Sequence, residues 1–391
     1  MALRTRQDNI ILILSCLGTA LVLYALHITH NLRAPHFDPS SYSSFSSSNK
    51  PIPNIVHYVY ILSENTTDFS FRFSAVLSVC ATLKYWQPDT IYLHTNAPPD
   101  SLARARSGEA GKWTQLIFSI PQLTILPAEP PHNTSRGIPI KLMEHKSDFV
   151  RVAAIRNYGG TYIDFDVHPL KDIAPLRSSG FQAIAGRQQG RMICSGVFMT
   201  QPHSRMIELW HELMDAWFDG SWSKHSNYAL TILGQQLVAH PGTKDMLIVE
   251  RDAFAPWSWT LSDKTPLLQV HRDQVSALDL IDENGHLPDY PISPSSPLEH
   301  WSDLNKLPRR PPWANDWAAS YMLHAFSHEQ DNFVNIPGFR GISPRYVLER
   351  RSNFARAVYP VARELYEMGL MEVDDPVKFP LPLPEREGEG G

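Results

Sequence analysis

The stretch from residue 145 to 173, HKSDFVRVAAIRNYGGTYIDFDVHPLKDI, constrains the chain more than any other. Apolar residues at helical spacing run through Lys141 to Tyr158, and Gly159-Gly160 stops them, because glycine accepts positive φ at little cost. Thr161 to Val167 is a run of high β propensity that carries Asp164 and Asp166. A helix, a glycine stop and an apolar strand ending in acids is the pattern of a parallel α/β sheet, whose ligands sit beyond the carboxyl ends of the strands.

The rest of the body agrees. Strands are expected over 52–62, 90–95 and 123–128, in FQAIAG and in MICSGVFMT, with helices over 71–86 and 203–218. Alternation of the two argues for one α/β domain with a mostly parallel sheet flanked by helices and a long C-terminal elaboration. There is no repeat at a solenoid period.

The flanks differ in composition. Residues 10–28 contain no Lys, Arg, Asp or Glu, and as a helix would span roughly 28 Å, enough for a thin bilayer. Arg4 and Arg6 precede them, favouring a cytosolic N-terminus and a signal anchor over a cleaved signal peptide. The expected organisation is a cytosolic tail (1–9), a transmembrane anchor (10–28), a Ser/Pro-rich stem (29–51), a luminal catalytic body (52–370) and a disordered Pro/Glu/Gly-rich tail (371–391). Sequons at Asn65 and Asn133 make these two asparagines candidate glycosylation sites and lend weak support to a luminal body. Thirty-five basic against forty acidic residues leave a net charge of −5, which disfavours nucleic acid as a partner. Of three cysteines, Cys16 lies in the apolar run, leaving Cys80 and Cys194 as either one bridge or two buried thiols.

Alternate residues of a strand share a side, so Asp164 and Asp166 either repel or share a cation. A pair of carboxylates with no adjacent Lys or Arg suits Mn²⁺ or Mg²⁺. On the preceding helix, Asp148 and Arg151 stand at i,i+3. They are either an ordinary ion pair or an acceptor for sugar hydroxyls beside a fork donor for a diphosphate. Tyr58 and Tyr60 can stack on a nucleotide base or fill the core. Trp210, Trp217 and Trp222 can pack the second helix or form an acceptor platform. The cluster from Arg309 to Trp313 reads as a surface loop or as a contact for an anionic head group.

The order Ser147-Asp148-x-x-Arg151, then Tyr158-Gly-Gly-x-Tyr162-x-Asp164-x-Asp166, resembles the DXD sugar-binding region of Golgi glycosyltransferases. Those relatives include initiating α-1,6-mannosyltransferases, mannosylinositol-phosphorylceramide synthases, and α-1,4-galactosyl and α-1,4-N-acetylglucosaminyl transferases. The opening IPNIVHYVY, the SGVFMTQPHSRMIELW segment and WAASYMLHAFSHE resemble further parts of the family, so the likeness extends over about 52–330. It implies a GT-A fold and a retaining, metal-dependent transferase of the Golgi membrane. Such an enzyme takes a nucleotide-sugar donor and a glycan or glycolipid acceptor. It also implies donor-binding and catalytic roles for Asp148 and Arg151, and a metal site at Asp164 and Asp166, with Asp166 the main ligand. By the same likeness, His324, read as helix-borne in YMLHAF, is a further metal ligand near the diphosphate; apart from the likeness, a packed, hydrogen-bonded histidine is the alternative. Ser195 stands where many relatives carry an Asn beside the donor sugar, and TILGQQL lacks their glycine-proline. Transfer to inositol-phosphoceramide, a silent luminal scaffold and a phosphohydrolase are the competing readings.

Overall fold

The computed structural model describes residues 50–63, 68–240, 243–289, 311–326 and 335–379. The 10–28 run, most of the stem, Asn65, Arg309, Arg310 and residues 380–391 lie outside them. No helix among the described residues is long and apolar enough to cross a membrane.

β-Branched and aromatic runs form the strands β1 (Ile55–Val59), β2 (Thr90–Thr95), β3 (Leu123–Pro127), β4 (Gly160–Ile163), β6 (Ala183–Arg187), β7 (Ile193–Thr200) and β8 (Leu247–Val249). They make one seven-stranded sheet in the order β3-β2-β1-β4-β7-β6-β8. β3, β2, β1 and β4 are mutually parallel, and β6 is parallel to β8, while β7 runs antiparallel to both β4 and β6. The sheet is therefore mixed, parallel on the β1 side and reversed at β7. Two short strands, β5 (Val167–Pro169) and β9 (Met322–His324), form a separate antiparallel pair.

Helices cover the sheet where the periodicity predicts them. Phe73–Trp86 buries Phe73, Val76, Leu77 and Val79, and Arg205–Trp217 starts at Ser204, whose side chain accepts from the Ile207 N–H. The Met143–Tyr158 helix begins two residues later than Lys141. Its stop is sterically enforced at Gly160: φ is +101°, and a Cβ there would lie 2.4 Å from the Ile55 carbonyl oxygen. A side chain at this point would push β4 off β1.

Two expectations change. The strand over 161–167 ends at Ile163; Asp164, Phe165 and Asp166 form a turn, closed by the Val167 N–H donating to the Asp164 carbonyl at 3.0 Å, before β5 begins. His324, read as helix-borne, sits on β9, because its backbone pairs with Val167 of β5. The packed body also continues past residue 370. Met371 is buried, the Phe73 N–H donates to the Val377 carbonyl, the Trp113 indole donates to the Pro376 carbonyl, and Phe379 packs on Trp113.

Candidate metal centre and donor site

Three side chains from two segments far apart in sequence converge at the carboxyl end of β4. The Asp164–Asp166 turn supplies two carboxylates, and β9 supplies His324. One ligand atom from each lies within 4.8 Å of the others. The turn is held from two sides: the Asp164 N–H donates to the Gly196 carbonyl at 2.8 Å, and the Ala325 N–H donates to the Asp166 carbonyl at 2.9 Å. β7 and β9 thus aim both acids. Gly196 also forms the floor, since a Cβ there would stand 2.6 Å from an Asp164 carboxylate oxygen and 2.8 Å from the His324 ring.

Two carboxylates and an imidazole are a donor set that suits Mn²⁺ or Mg²⁺, and the clearance over Gly196 leaves them free to turn toward a shared ion. His324 Nε2 lies 3.3 Å from an Asp166 oxygen, and Nδ1 lies 3.3 Å from the Cys194 thiol. Burial pulls the imidazole pKa down, but Asp166 and Cys194 outweigh it and hold the ring well above its ordinary range. Asp164 moves up, through burial and Asp166 together, against the pull of Arg151 and His324. Both shifts express the same physics: the acid pair needs positive charge beside it.

The Met143–Tyr158 helix supplies that charge from behind. His145, Asp148 and Arg151 recur every three residues on its buried side. Arg151 reaches Asp148 at 3.2 Å and Asp164 at 3.4 Å, donates to the Ser195 carbonyl at 3.0 Å, and lies over the Tyr162 ring. Burial lowers its pKa, yet Asp164, Tyr162 and Asp148 more than offset this, so it stays charged. The Tyr162 hydroxyl donates to Asp164. Arg151 is therefore committed to protein partners. A fork on a diphosphate would require it to release one of them.

The sequence reading missed His225. It sits fully buried on a π-helical turn, Lys224–Tyr228, and its Nε2 lies 3.0 Å from the second Asp148 oxygen. Asp148 is thus clamped between Arg151 and His225. The sequence carries no signal for this, as nothing near HSNY predicts a π turn. Cys194 was likewise legible only as a cysteine; both Cys80 and Cys194 are free thiols.

Ser195 is buried, its hydroxyl donating to Asn227. An amide side chain therefore stands next to Ser195 of β7, supplied by the π-helical turn Lys224–Tyr228. Tyr58 faces the core: its hydroxyl meets Ser78 and Thr82, and its ring stacks on Phe165. It supports the Asp164–Asp166 turn from below and leaves no face for a base. The Tyr60 hydroxyl accepts from the Ser70 N–H. Trp210 is fully buried, Trp217 packs near Tyr228, and Trp222 is 59% exposed. Trp313 stacks on His271. Asn133 is exposed and forms an isolated antiparallel bridge with Pro139. A separate cleft of about 620 Å³ opens beyond the carboxyl ends of β1, β2 and β3, lined by Leu62, Asn96, Pro131, His132 and Lys146 among others.

Residues 86–182, about a quarter of the chain, match the family described as glycosyltransferase sugar-binding region containing DXD motif. The match includes Asp148, Arg151, Asp164 and Asp166 and stops short of Ser195 and His324. A curated relative, glucan organizing enzyme 1 of Cryptococcus neoformans var. grubii, is 27% identical over 216 residues, covering 52% of this chain and 54% of the relative. The chain thus spans about half the length of that relative. Solved structures with similarity include the glycosyltransferase GlyE of Streptococcus pneumoniae TIGR4 and mouse xyloside xylosyltransferase 1. GlyE is 9% identical with a TM-score of 0.37, covering 84% of this chain and 65% of that one. The mouse enzyme is 11% identical with a TM-score of 0.34, covering 54% and 88%. Scores of this size carry no argument about the site. The α/β architecture with its mixed sheet is consistent with GT-A-type glycosyltransferases.

Proposed function

We propose that the chain is a retaining, divalent-metal-dependent glycosyltransferase that moves a hexose from a nucleotide-sugar donor to a glycan or glycolipid acceptor. The observation that carries this reading is the convergence of Asp164, Asp166 and His324 on one point, with Arg151 and Asp148 behind them, the four Asp and Arg residues lying inside a segment that matches the DXD sugar-binding family.

Asp166, Asp164 and His324 would hold Mn²⁺ or Mg²⁺. Bound there, the ion offsets the negative charge that grows on a leaving diphosphate. The chain's own residues do the positioning. Arg151 fixes Asp164 and Asp148 relative to one another, and His225 fixes the far oxygen of Asp148. A carboxylate so clamped presents its remaining lone pairs in a set direction, as a sugar hydroxyl needs. The cleft at β1–β3 is of a size and place to take the nucleoside, with Asn96 and Lys146 as polar contacts.

The test is a panel of nucleotide sugars, with Mn²⁺, against simple glycosides, glycolipids, inositol-phosphoceramide and β-glucan oligomers, read by mass spectrometry of the products. The glucans are included because of the relative's name. Transfer from one donor, lost on chelation, is expected. A chain that binds Mn²⁺ yet transfers and hydrolyses nothing would instead be a silent scaffold.

We also propose that residues 10–28 anchor the chain in the Golgi membrane with the body luminal. Support comes from the charge-free run and from the exposed sequon asparagine Asn133. Protease should spare the body in sealed microsomes; digestion without detergent would refute this topology.

A further inference from the structure

Among the described residues, Trp259 is an exposed tryptophan tied to the metal centre by an unbroken aromatic path. His324 stacks on Phe326 with ring centroids 3.7 Å apart, and Phe326 meets Trp259 edge-on at 5.5 Å. Phe326 is buried, whereas Trp259 remains 42% exposed, and Leu261 beside it is 58% exposed.

Two observations separate this from ordinary surface packing. Phe326 has φ of +48°. A bulky aromatic in the left-handed region is a true outlier that persists only where its surroundings impose it. That conformation carries the chain directly out of β9, so that the Phe326 ring lies between the His324 ring and Trp259. Next to Trp259, the hydroxyls of half-buried Thr260 and exposed Ser262 lie 2.9 Å apart, and fully buried Ser258 holds Thr260 from beneath, its Oγ 3.0 Å from Thr260 Oγ1. An open aromatic and aliphatic surface edged by hydroxyls, one ring away from His324, has the chemistry of a pyranose site. The C–H face of a sugar packs on the ring, and its hydroxyls exchange hydrogen bonds with the serine and threonine side chains.

We propose that Trp259, backed by Phe326 and edged by Thr260 and Ser262, is the platform that binds the acceptor saccharide. The inference rests on the transferase reading above and adds the acceptor side to it. The Phe326 ring, seated between His324 and Trp259, ties the platform to His324 and so sets the distance between the acceptor and the acid pair.

The test uses the full-length chain in detergent with methyl α-mannoside, methyl β-galactoside and methyl β-glucoside as probes, followed by saturation-transfer NMR. Mn²⁺ binding and donor hydrolysis without acceptor are measured alongside. At least one glycoside should bind the wild type through its ring protons. Trp259→Ala should weaken it about tenfold, equivalent to about 1.4 kcal/mol, and Trp259→Phe should fall between. Both variants should retain Mn²⁺ binding and donor hydrolysis. Glycoside binding that survives Trp259→Ala, or that appears in no form of the protein, overturns the platform. So does a Trp259→Ala protein that loses Mn²⁺ binding and hydrolysis together with the glycoside, which would mark a structural role. A wild type that hydrolyses no nucleotide sugar overturns the transferase reading itself, a result distinct from all of these.

Discussion

At the residue scale, the two acids of the motif are not equivalent. Asp164 is gripped by Arg151 and by the Tyr162 hydroxyl, whereas Asp166 faces His324 across 3.3 Å. Asp164→Asn would leave a polar group that Arg151 and Tyr162 still orient. Asp166→Asn removes the charge opposite His324 while relieving repulsion between the acids. We therefore expect Asp166→Asn to fold with an unchanged or higher Tm but to bind Mn²⁺ weakly. Its transfer rate should fall at least a hundredfold, since several kcal/mol of leaving-group stabilisation go at about 1.4 kcal/mol per tenfold. Asp164→Asn should respond to added Mn²⁺ and Asp166→Asn should respond poorly. Titration of Mn²⁺ against rate and Tm for both variants checks this, and normal turnover by Asp166→Asn after chelation would make the pair structural.

Among elements, the junction from the Met143–Tyr158 helix to β4 decides whether the site forms. The helix presents His145, Asp148 and Arg151 along one side, and the strand delivers Asp164 to the same place only because Gly159-Gly160 turns the chain sharply. Gly160→Ala puts a Cβ 2.4 Å from the Ile55 carbonyl at a φ of +101°. Strain of this kind costs on the order of 2–4 kcal/mol, so Tm should drop by roughly 5 °C or more. Circular dichroism melts test it; a Gly160→Ala protein as stable as wild type would mean β4 can move off β1 freely. Most strands of the sheet, and the main helices on it, were legible in the sequence: the helices by their apolar period, the strands as short β-branched and aromatic runs bounded by turn residues. The end of β4 and the identity of β9 were not. Asp164-Phe165-Asp166 has the alternation of a strand, but its backbone turns to let Val167 pair with His324. That partner lies more than 150 residues away, and local pattern holds no trace of it.

Across the whole molecule, stability draws on both chain ends of the body. Residues 371–379 bury Met371, cover Trp113 with Phe379 and pair Lys112 with Asp375 at 2.6 Å. A chain ending at residue 370 should therefore melt several degrees below one ending at 380, as burial of one large apolar side chain alone is worth about 1.5–3 kcal/mol. Equal Tm values would show that the segment adds nothing. The sheet centre supplies a pH dependence. His57 and His94 stack inside the β1–β2 layer, with nitrogens 2.9 Å apart and His57 Nε2 donating to the Gly159 carbonyl. Burial, with His94 next to it, pushes His57 down to about 3, and burial pushes His94 down to about 4. In the unfolded chain both titrate near 6.5. The unfolded state then binds more protons below that value, so stability should be full above about pH 7 and decline as pH falls through 6.5 toward 4. Tm measured from pH 7.5 to 5, above most carboxylate titrations, should fall for wild type and less for His94→Gln. A flat wild-type profile would contradict the pair's assignment as buried neutral rings.

The sequence by itself determined the α/β class and the placement of most sheet strands and major helices, each by a short-range rule of period or glycine stop. It singled out Asp148, Arg151, Asp164 and Asp166 as candidates by their spacing together with the likeness to the DXD sugar-binding region. Only the tertiary structure decided that His324 comes by strand to the acids, that Arg151 is held by Asp164 as well as Asp148, and that His225 clamps Asp148 from a π turn. It also decided that Tyr58 is core and that Trp259 lies one ring from His324. These depend on contacts between segments tens to more than a hundred residues apart, and such contacts are set by how the β7 reversal and the β5–β9 pair close around one point.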